Sequence, residues 1–383
     1  MKTIYLHGSP DFYGSGKVLL EILRIPTNTK NAIVVFPHEG PLCNAVRELG
    51  IPLYIINMGV LRRKYFTPWG LLSRVYYWIT ATLTLQKIIQ ANDVQLIYVN
   101  SLNIIIGPWL KRITQLPLIW HLHEIIEEPK LLFRFLHQLL RKADKIIAVS
   151  KAVQFHWSQL PLPQPVRVLY NGFSDLSNQK EKSFFSSISE QYKKTANGIV
   201  IGMIGRVQPL KGHSYLLEIL QHLIKSPSYH YPGSIQLIIA GDAYPGYSHL
   251  TLKLKKEISD RGLNNFVDYI GYQEDIKGLL EKIDILIVPS IKPDSLPTVV
   301  IEAMLAGKPV IATRQGGCLE LIEENITGYF IPVNDSMTSS KILHQLLSNK
   351  EQLEKAGVKG KQRAAELFSL ASFQRGWLKI MNG

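Results

Sequence analysis

Residues 289–317 read PSIKPDSLPTVVIEAMLAGKPVIATRQGG. This stretch places one carboxylate, Glu302, inside an otherwise apolar run that is predicted to be helical from Thr298 to Ala306. A second acid, Asp294, stands eight residues upstream, beyond Pro297. Proline suits the first turn of a helix, where its missing N–H costs nothing. We therefore expect Asp294 in the preceding loop and Glu302 in the second turn.

The position of Glu302 predicts a contact with a ligand. A carboxylate flanked by Ile301 and Ala303 is costly to bury unless it is paired or hydrogen-bonded. The alternative is an acid on a solvated helix face. Because this turn offers few polar neighbours, we expect Glu302 to point at a ligand hydroxyl.

A second motif predicts an anion site. Residues 202–212, GMIGRVQPLKG, end a predicted strand and open a predicted helix, which places Arg206 and Lys211 near a helix N-terminus. Arginine offers a planar fork of donors and lysine a compact point charge. A pair of surface cations is the alternative interpretation.

Together these motifs resemble those of the retaining nucleotide-sugar glycosyltransferases of the GT-B fold, the large family-four group (glycosyl transferases group 1). The signature of that group is an acid, seven residues, a glutamate, a Gly-Lys-Pro-Val strand and a Gly-Gly pair. The residues that match it are Asp294, Glu302, Gly307, Lys308, Pro309, Val310, Gly316 and Gly317. The first acid is usually Glu, so Asp294 keeps the charge with a reach shorter by one methylene.

The resemblance implies roles for these side chains. Arg206 and Lys211 bind the donor diphosphate and stabilise it as it leaves. Glu302 holds the ribose diol, and Asp294 contacts hydroxyls of the donor sugar. Backbone amides at the start of the same helix add its dipole to the phosphate site. These amides belong to Leu296, Thr298 and Val299.

Two motifs in the first half complete the predicted site. In WHLHE, residues 120–124, the resemblance places His123 beside the transferred sugar, with His121 a supporting or packed residue. No third ligand is spaced for a metal site. The loop GSPDFYGSGK holds Gly14 and Gly16 but matches neither a P-loop nor a dinucleotide fingerprint. It resembles the family loop that approaches donor phosphate and acceptor, and a plain tight turn is the alternative.

The fold class is predicted from the alternation of short apolar runs with helical segments, which is typical of parallel βαβ units. We expect an α/β protein with two Rossmann-like, doubly wound domains, and the resemblance implies that they face each other across a deep cleft. Residues 1–175 form the acceptor-binding domain and residues 198–365 the donor-binding domain. Residues 176–197 form a linker, and residues 366–383 a helix that returns to the first domain.

The charge is concentrated in the first half. Of a net charge of +13, residues 1–175 hold +9, with 19 Lys and Arg against 10 Asp and Glu. No acid occurs between Glu48 and Asp93, where basic residues alternate with aromatic ones. This pattern suits an anionic membrane surface or a lipid-linked acceptor, and a solvated face with core aromatics is the alternative. The basic residues are Arg62, Arg63, Lys64, Arg74 and Lys87.

The sequence begins without the apolar core of a signal peptide and contains no run of about 20 apolar residues. We therefore expect a cytoplasmic protein, peripheral on the inner face of the membrane if the basic stretch binds lipid. Two distant cysteines suggest no disulfide framework. No nucleic-acid motif accompanies the charge, so no nucleic-acid partner is expected.

The predicted function is a retaining transfer of sugar from a nucleotide-diphosphate sugar to a saccharide or lipid-linked acceptor, in synthesis of cell-surface polysaccharide or glycolipid. The chain has no Asp-x-Asp pair to bind a metal–diphosphate complex, so no metal or other cofactor is expected. A nucleotide-sugar epimerase is the nearest enzyme alternative. The alternative from another class is a non-catalytic GT-B paralogue that binds nucleotide or membrane beside an active partner.

Overall fold

The computed structural model describes residues 1–62, 65–173, 198–226, 234–244 and 246–382. These residues form two compact units. The first consists of Met1–Gly172 with Leu370–Gly383, and the second of Phe173–Ser369. The predicted linker, residues 176–197, lies outside the described residues.

The first unit contains a parallel sheet of seven strands within the described residues, in the order β3-β2-β1-β4-β5-β6-β7. Its central strands are apolar runs that are buried along their length, as expected where helices cover both faces of a parallel sheet. The strands are β1 (Thr3–Leu6), β2 (Ala32–Phe36), β3 (Leu53–Ile55), β4 (Leu96–Val99), β5 (Leu118–Leu122), β6 (Lys145–Ala148) and β7 (Val166–Val168). The helices between them are α1 (Gly14–Leu23), α2 (Pro26–Thr29), α3 (Pro41–Glu48), α4 (Pro68–Ala91), α5 (Gly107–Thr114), α6 (Lys130–Leu140) and α7 (Lys151–Trp157).

The second unit repeats this architecture with six described strands in the order β10-β9-β8-β11-β12-β13. The strands are β8 (Ile199–Ile204), β9 (Ile235–Ala240), β10 (Val267–Gly271), β11 (Ile285–Val288), β12 (Val310–Thr313) and β13 (Tyr329–Ile331). The helices are α8 (His213–Lys225), α9 (Ser248–Asp260), α10 (Ile276–Lys282), α11 (Thr298–Leu305), α12 (Cys318–Leu321), α13 (Ser336–Leu347) and α14 (Lys350–Leu367). The predicted α/β class with two doubly wound sheets is confirmed.

Both sheets have a point where the strand order reverses. In the first unit the reversal lies between β1 and β4, and in the second between β8 and β11. Connections leave the neighbouring strands towards opposite sides at such a point, which opens a crevice beyond their carboxyl ends. The residues that follow these four strands are therefore the ones to inspect for a ligand site.

The last helix, α15 (Leu370–Asn382), packs into the core of the first unit. Its buried side chains are Phe373, Trp377 and Ile380. The Trp377 ring meets the Tyr98 ring of β4 edge-on, with 5.3 Å between centroids. The sequence predicts one helix over residues 366–383, but α14 continues through Leu367 and the new helix begins only at Leu370.

No helix in the described part of the chain has the length and apolar character needed to cross a bilayer.

We expect Trp377→Ala to lower the free energy of unfolding by about 3–5 kcal/mol, because a large ring is removed from a closed core. Leu378→Ala, one residue further along α15, is the control, since Leu378 is 42% exposed and its loss should change stability by about 0.5 kcal/mol or less. Urea unfolding followed by circular dichroism measures both. Equal effects of the two substitutions would contradict the packing of α15 described above.

Candidate functional site

The second unit places its predicted site residues at the reversal of strand order. Arg206 and Lys211 follow β8, and Asp294 and Glu302 follow β11, the strand beside it. The carboxyl ends of parallel neighbours share one edge of the sheet, so these segments meet there. The edge therefore has cations from one strand and carboxylates from the next.

Lys211 and Asp294 form an ion pair in which Lys211 Nζ donates to Asp294 Oδ2. Both side chains are partly buried, with 26% and 18% exposed. The loop that bears Lys211 is fixed to the end of β11, because the amide of Ile291 donates to the carbonyl of Leu210 at 2.9 Å. Lys211 and Asp294 thus each have a defined position at this edge of the sheet.

Glycines set the close approaches around this pair. Gly212 has φ +76°, and a Cβ there would strike the carbonyl oxygen of Pro289. Gly316 has φ +56° and packs against the backbone of Asp294, whose carbonyl accepts from the amide of Gly317 at 2.8 Å. The Gly-Gly pair of the signature is therefore required for positioning the loop that bears Asp294.

Arg206 is 6% exposed, and its guanidinium lies over the ring of Tyr244, 3.1 Å from the centroid. Tyr244 follows β9, on the other side of β8, and is 40% exposed. A ring at this position orients the planar guanidinium and contributes a cation–π interaction. The sequence analysis gave Tyr244 no role. The signal for such a role is that an aromatic residue closely follows a predicted strand.

Glu302 is 6% exposed and lies in the second turn of α11, as its spacing from Pro297 predicts. The N-cap of α11 is Pro297, whose side chain cannot accept a hydrogen bond from the first-turn amides. Leu296 is buried, and Thr298 and Val299 are half-buried. The helix thus brings one buried carboxylate and a set of N-terminal amides to the same edge as Lys211.

The first unit forms a separate cluster from residues that follow β1, β4 and β5. Gly14 begins α1, and Gly16 is buried where a Cβ would strike the carbonyl of Asp11. The carbonyl of Ser15, between them, accepts from Asn100 Nδ2 at 3.0 Å. The Oδ1 atom of the same carboxamide lies 3.0 Å from His123 Nε2. The structure thus links the glycine segment to His123 through Asn100.

Burial lowers the pKa of His123 well below its ordinary value, with smaller contributions from His121 and His7. His121 is fully buried, its pKa is lowered to about 3 by burial, and its Nδ1 lies 2.7 Å from the hydroxyl of Tyr98. The two rings pack together with 4.3 Å between centroids. Burial therefore favours the neutral form of both rings, and His121 is a packed residue.

Glu124 fixes the end of β5, a role that the sequence did not predict. Its carboxylate accepts from Ser101 Oγ at 2.5 Å and from the amides of Leu102 and His123 at 3.3 and 3.1 Å. Burial raises the pKa of Glu124. The sequence carries one signal for this cluster, a polar residue directly after each of two strands. These residues are Asn100 after β4 and His123 after β5. In the described ranges, no three His, Cys, Asp or Glu side chains are grouped as metal ligands.

In the acid-free stretch between Glu48 and Asp93, one of the basic residues is buried and does not belong to the predicted basic surface. Arg74 is 7% exposed, and its guanidinium lies over the rings of Tyr65 and Tyr77, at 3.8 and 5.0 Å from their centroids. Arg74 is therefore a core cation and not part of a basic surface. Lys87 is exposed, whereas Arg63 and Lys64 lie outside the described residues.

Comparison with known proteins gives two family matches. Residues 32–175 match the model described as Glycosyltransferase Family 4, and residues 184–363 match the model described as Glycosyl transferases group 1. The two matches together extend over most of the chain.

Individual relatives agree with the family matches. Lipopolysaccharide 1,2-N-acetylglucosaminetransferase of Salmonella typhimurium is 24% identical over 331 residues, 84% of this chain and 81% of that protein. N-acetyl-alpha-D-glucosaminyl L-malate synthase of Bacillus anthracis is 32% identical over 60% of this chain and 57% of its own length. The crystal structure of Anabaena HepE in complex with UDP-glucose superimposes with a TM-score of 0.84 at 24% identity, covering 100% of both chains.

These matches confirm the predicted GT-B fold over the full length of the chain. The site residues that follow β4, β5, β8 and β11 lie inside the two family regions, whereas the glycine segment after β1 precedes them. The chain belongs to glycosyltransferase family 4, the glycosyl transferases group 1, and is a retaining glycosyltransferase that uses a nucleotide sugar.

Proposed function

We propose that this protein transfers a sugar from a nucleotide-diphosphate sugar to a saccharide or lipid-linked acceptor in the synthesis of cell-surface polysaccharide or glycolipid. The observation behind this proposal is the cluster of Lys211, Asp294 and Glu302 at the reversal of strand order in the second unit. Two relatives support the substrate class. The Salmonella protein is named for lipopolysaccharide, and HepE was crystallised with UDP-glucose.

In this proposal the cations bind the diphosphate. The Arg206 guanidinium lies over the Tyr244 ring, and the loop that bears Lys211 is hydrogen-bonded to the segment after β11, so both cations have defined positions. The amides of Leu296, Thr298 and Val299 add the positive end of the helix dipole. Donors positioned in advance stabilise charge as it develops without reorganising, which contributes about 3–4 kcal/mol each to a transition state.

The carboxylates orient the rest of the donor. Glu302, buried on α11, accepts from the two ribose hydroxyls of the donor. Asp294 Oδ1 accepts from a hydroxyl of the donor sugar while Oδ2 stays on Lys211. The shorter aspartate thereby holds the cation and the sugar through one side chain.

The transfer needs no enzyme nucleophile. The bond between the anomeric carbon and the phosphate oxygen breaks as the acceptor oxygen bonds to the same face of that carbon. The acceptor proton passes to the departing phosphate, so the products are the glycosylated acceptor and the nucleoside diphosphate. Arg206 and Lys211 stabilise the charge on the leaving group, and His123 and the Gly14–Gly16 segment of the first unit contact the transferred sugar and the acceptor.

We further propose that an anionic membrane surface presents the acceptor to α4. Five large side chains follow a spacing of three and four residues along α4 and are between 57% and 83% exposed. They include an indole and a phenol, which favour the lipid–water interface, and no acid lies between Glu48 and Asp93 to repel anionic lipid. The five are Trp69, Leu72, Tyr76, Ile79 and Leu83.

For the donor site, we expect Lys211→Met to lower kcat by about 10²–10³, the effect of removing one donor to a developing negative charge. Glu302→Gln keeps the side-chain shape and should raise the KM for the nucleotide sugar, because one carboxylate oxygen is replaced by an NH2 group, which cannot accept from a hydroxyl. Release of nucleoside diphosphate measures both parameters. Lys253→Met, an exposed lysine on α9, is the control and should stay within about twofold of the parent protein. A Lys211→Met protein with unchanged kcat would exclude the proposed role.

For the membrane contact, we expect the double substitution Trp69→Ser/Ile79→Ser to weaken binding to phosphatidylglycerol vesicles at least tenfold, because each large apolar group contributes about 1.5–3 kcal/mol when buried. Leu252→Ser is the control, since Leu252 is 67% exposed on α9 of the other unit. Co-sedimentation at low salt measures binding. Failure of the parent protein to bind these vesicles, or equal binding by the double variant, would refute the contact.

A further inference from the structure

Asn100 contacts both predicted parts of the first-unit cluster, the Gly14–Gly16 segment and His123. It is fully buried directly after β4, the strand between β1 and β5 in the sheet. Its amide donates to the carbonyl of Leu6 at 2.9 Å, which extends the pairing of β4 with β1 by one residue. The backbone therefore fixes where the carboxamide lies.

The hydrogen bonds of Asn100 determine which way its carboxamide faces. The carbonyl oxygen of Ser15 can only accept, so the group that lies 3.0 Å from it is the nitrogen, Nδ2. Nδ2 also lies 3.1 Å from His7 Nδ1. Oδ1 consequently faces His123, 3.0 Å from Nε2.

The orientation of Asn100 in turn determines the proton on His123. A carboxamide oxygen accepts and cannot donate, so the hydrogen bond requires a proton on Nε2. In a neutral ring Nδ1 then has a lone pair and no proton. The titratable groups around this ring are His7 from the end of β1 and His121 from β5, while Glu124 reaches the His123 backbone amide.

We propose that Asn100 is a positioning residue that holds His123 in the Nε2–H tautomer, so that Nδ1 accepts a hydrogen bond from a hydroxyl of the transferred sugar. This inference rests on the proposed function for its ligand. The same carboxamide ties the ring to Ser15, so the glycine segment and His123 keep one relative position. A ligand group facing Nδ1 must then be a donor, as a sugar hydroxyl is.

Two substitutions of Asn100 separate the tautomer from simple packing. Asn100→Leu removes both polar groups at similar volume, and we expect His123 to populate both neutral tautomers and kcat/KM for the donor to fall about tenfold, the loss of one hydrogen bond. Asn100→Asp keeps an acceptor opposite Nε2, and we expect the Nε2–H tautomer to persist with a raised His123 pKa. Activity of Asn100→Asp should then be lost as pH falls through that pKa, because protonated His123 has no acceptor.

The tautomer is measured from the ring-nitrogen chemical shifts of ¹⁵N-histidine-labelled protein. The His123 signals are those that disappear in His123→Gln. Tyr98→Phe is the control. It removes the hydroxyl that contacts His121, on the same strand as Asn100, and should leave the His123 tautomer and turnover unchanged. A proton on Nδ1 of His123 in the parent protein would overturn the proposal, as would unchanged tautomer and turnover in Asn100→Leu. The NMR result holds without donor, so failure of the parent to turn over any nucleotide sugar would count against the proposed function alone.

Discussion

Parallel sheets that are covered by helices on both faces confine polar chemistry to their strand ends. The central strands of both units, β1, β4, β8 and β11, are apolar runs of mostly buried side chains and contain no charged residue. Where the strand order reverses, the neighbouring ends are not covered by one shared connection. This constraint explains why Lys211 and Asp294, which are 83 residues apart, form an ion pair, and why Asn100 reaches both Ser15 and His123.

Close backbone approach is the second requirement of the site. The loop that bears Asp294 lies against Gly316 and Gly317, and the turn that bears Lys211 ends at Gly212, against the carbonyl of Pro289. Side chains at these glycines would push the loops apart and separate the charges. The glycines of the signature therefore act by geometry, and the acid, the lysine and Glu302 provide the chemistry.

The sequence predicted the strands well because each is a short run of apolar, β-branched residues with a turn at its end. It also predicted the turn of α11 that holds Glu302, since Pro297 sets where that helix begins. It did not predict Tyr244 or Asn100, whose roles depend on contacts with Arg206 and His123 across neighbouring strands.

The sequence pattern alone did not show which side chains of α4 are buried and which are exposed. Arg74 is sequestered beneath aromatic rings while Trp69 is 83% exposed. The basic composition of that stretch is uniform in the sequence, but burial depends on which side of α4 packs against the rest of the first unit. The break between α14 and α15 was not predicted, because helical residues continue on both sides of it.

The most direct test of the donor site is thermal unfolding with UDP-, GDP-, ADP- and dTDP-sugars, for the parent protein and Arg206→Gln. A ligand at about 100 times its dissociation constant adds about 2.7 kcal/mol to stability, which shifts the midpoint measurably. We expect sugars of one nucleotide to stabilise the parent protein and to stabilise Arg206→Gln much less. Absence of any shift in the parent protein, or an equal shift in the variant, would contradict the assignment of the second-unit strand ends as the nucleotide-sugar site.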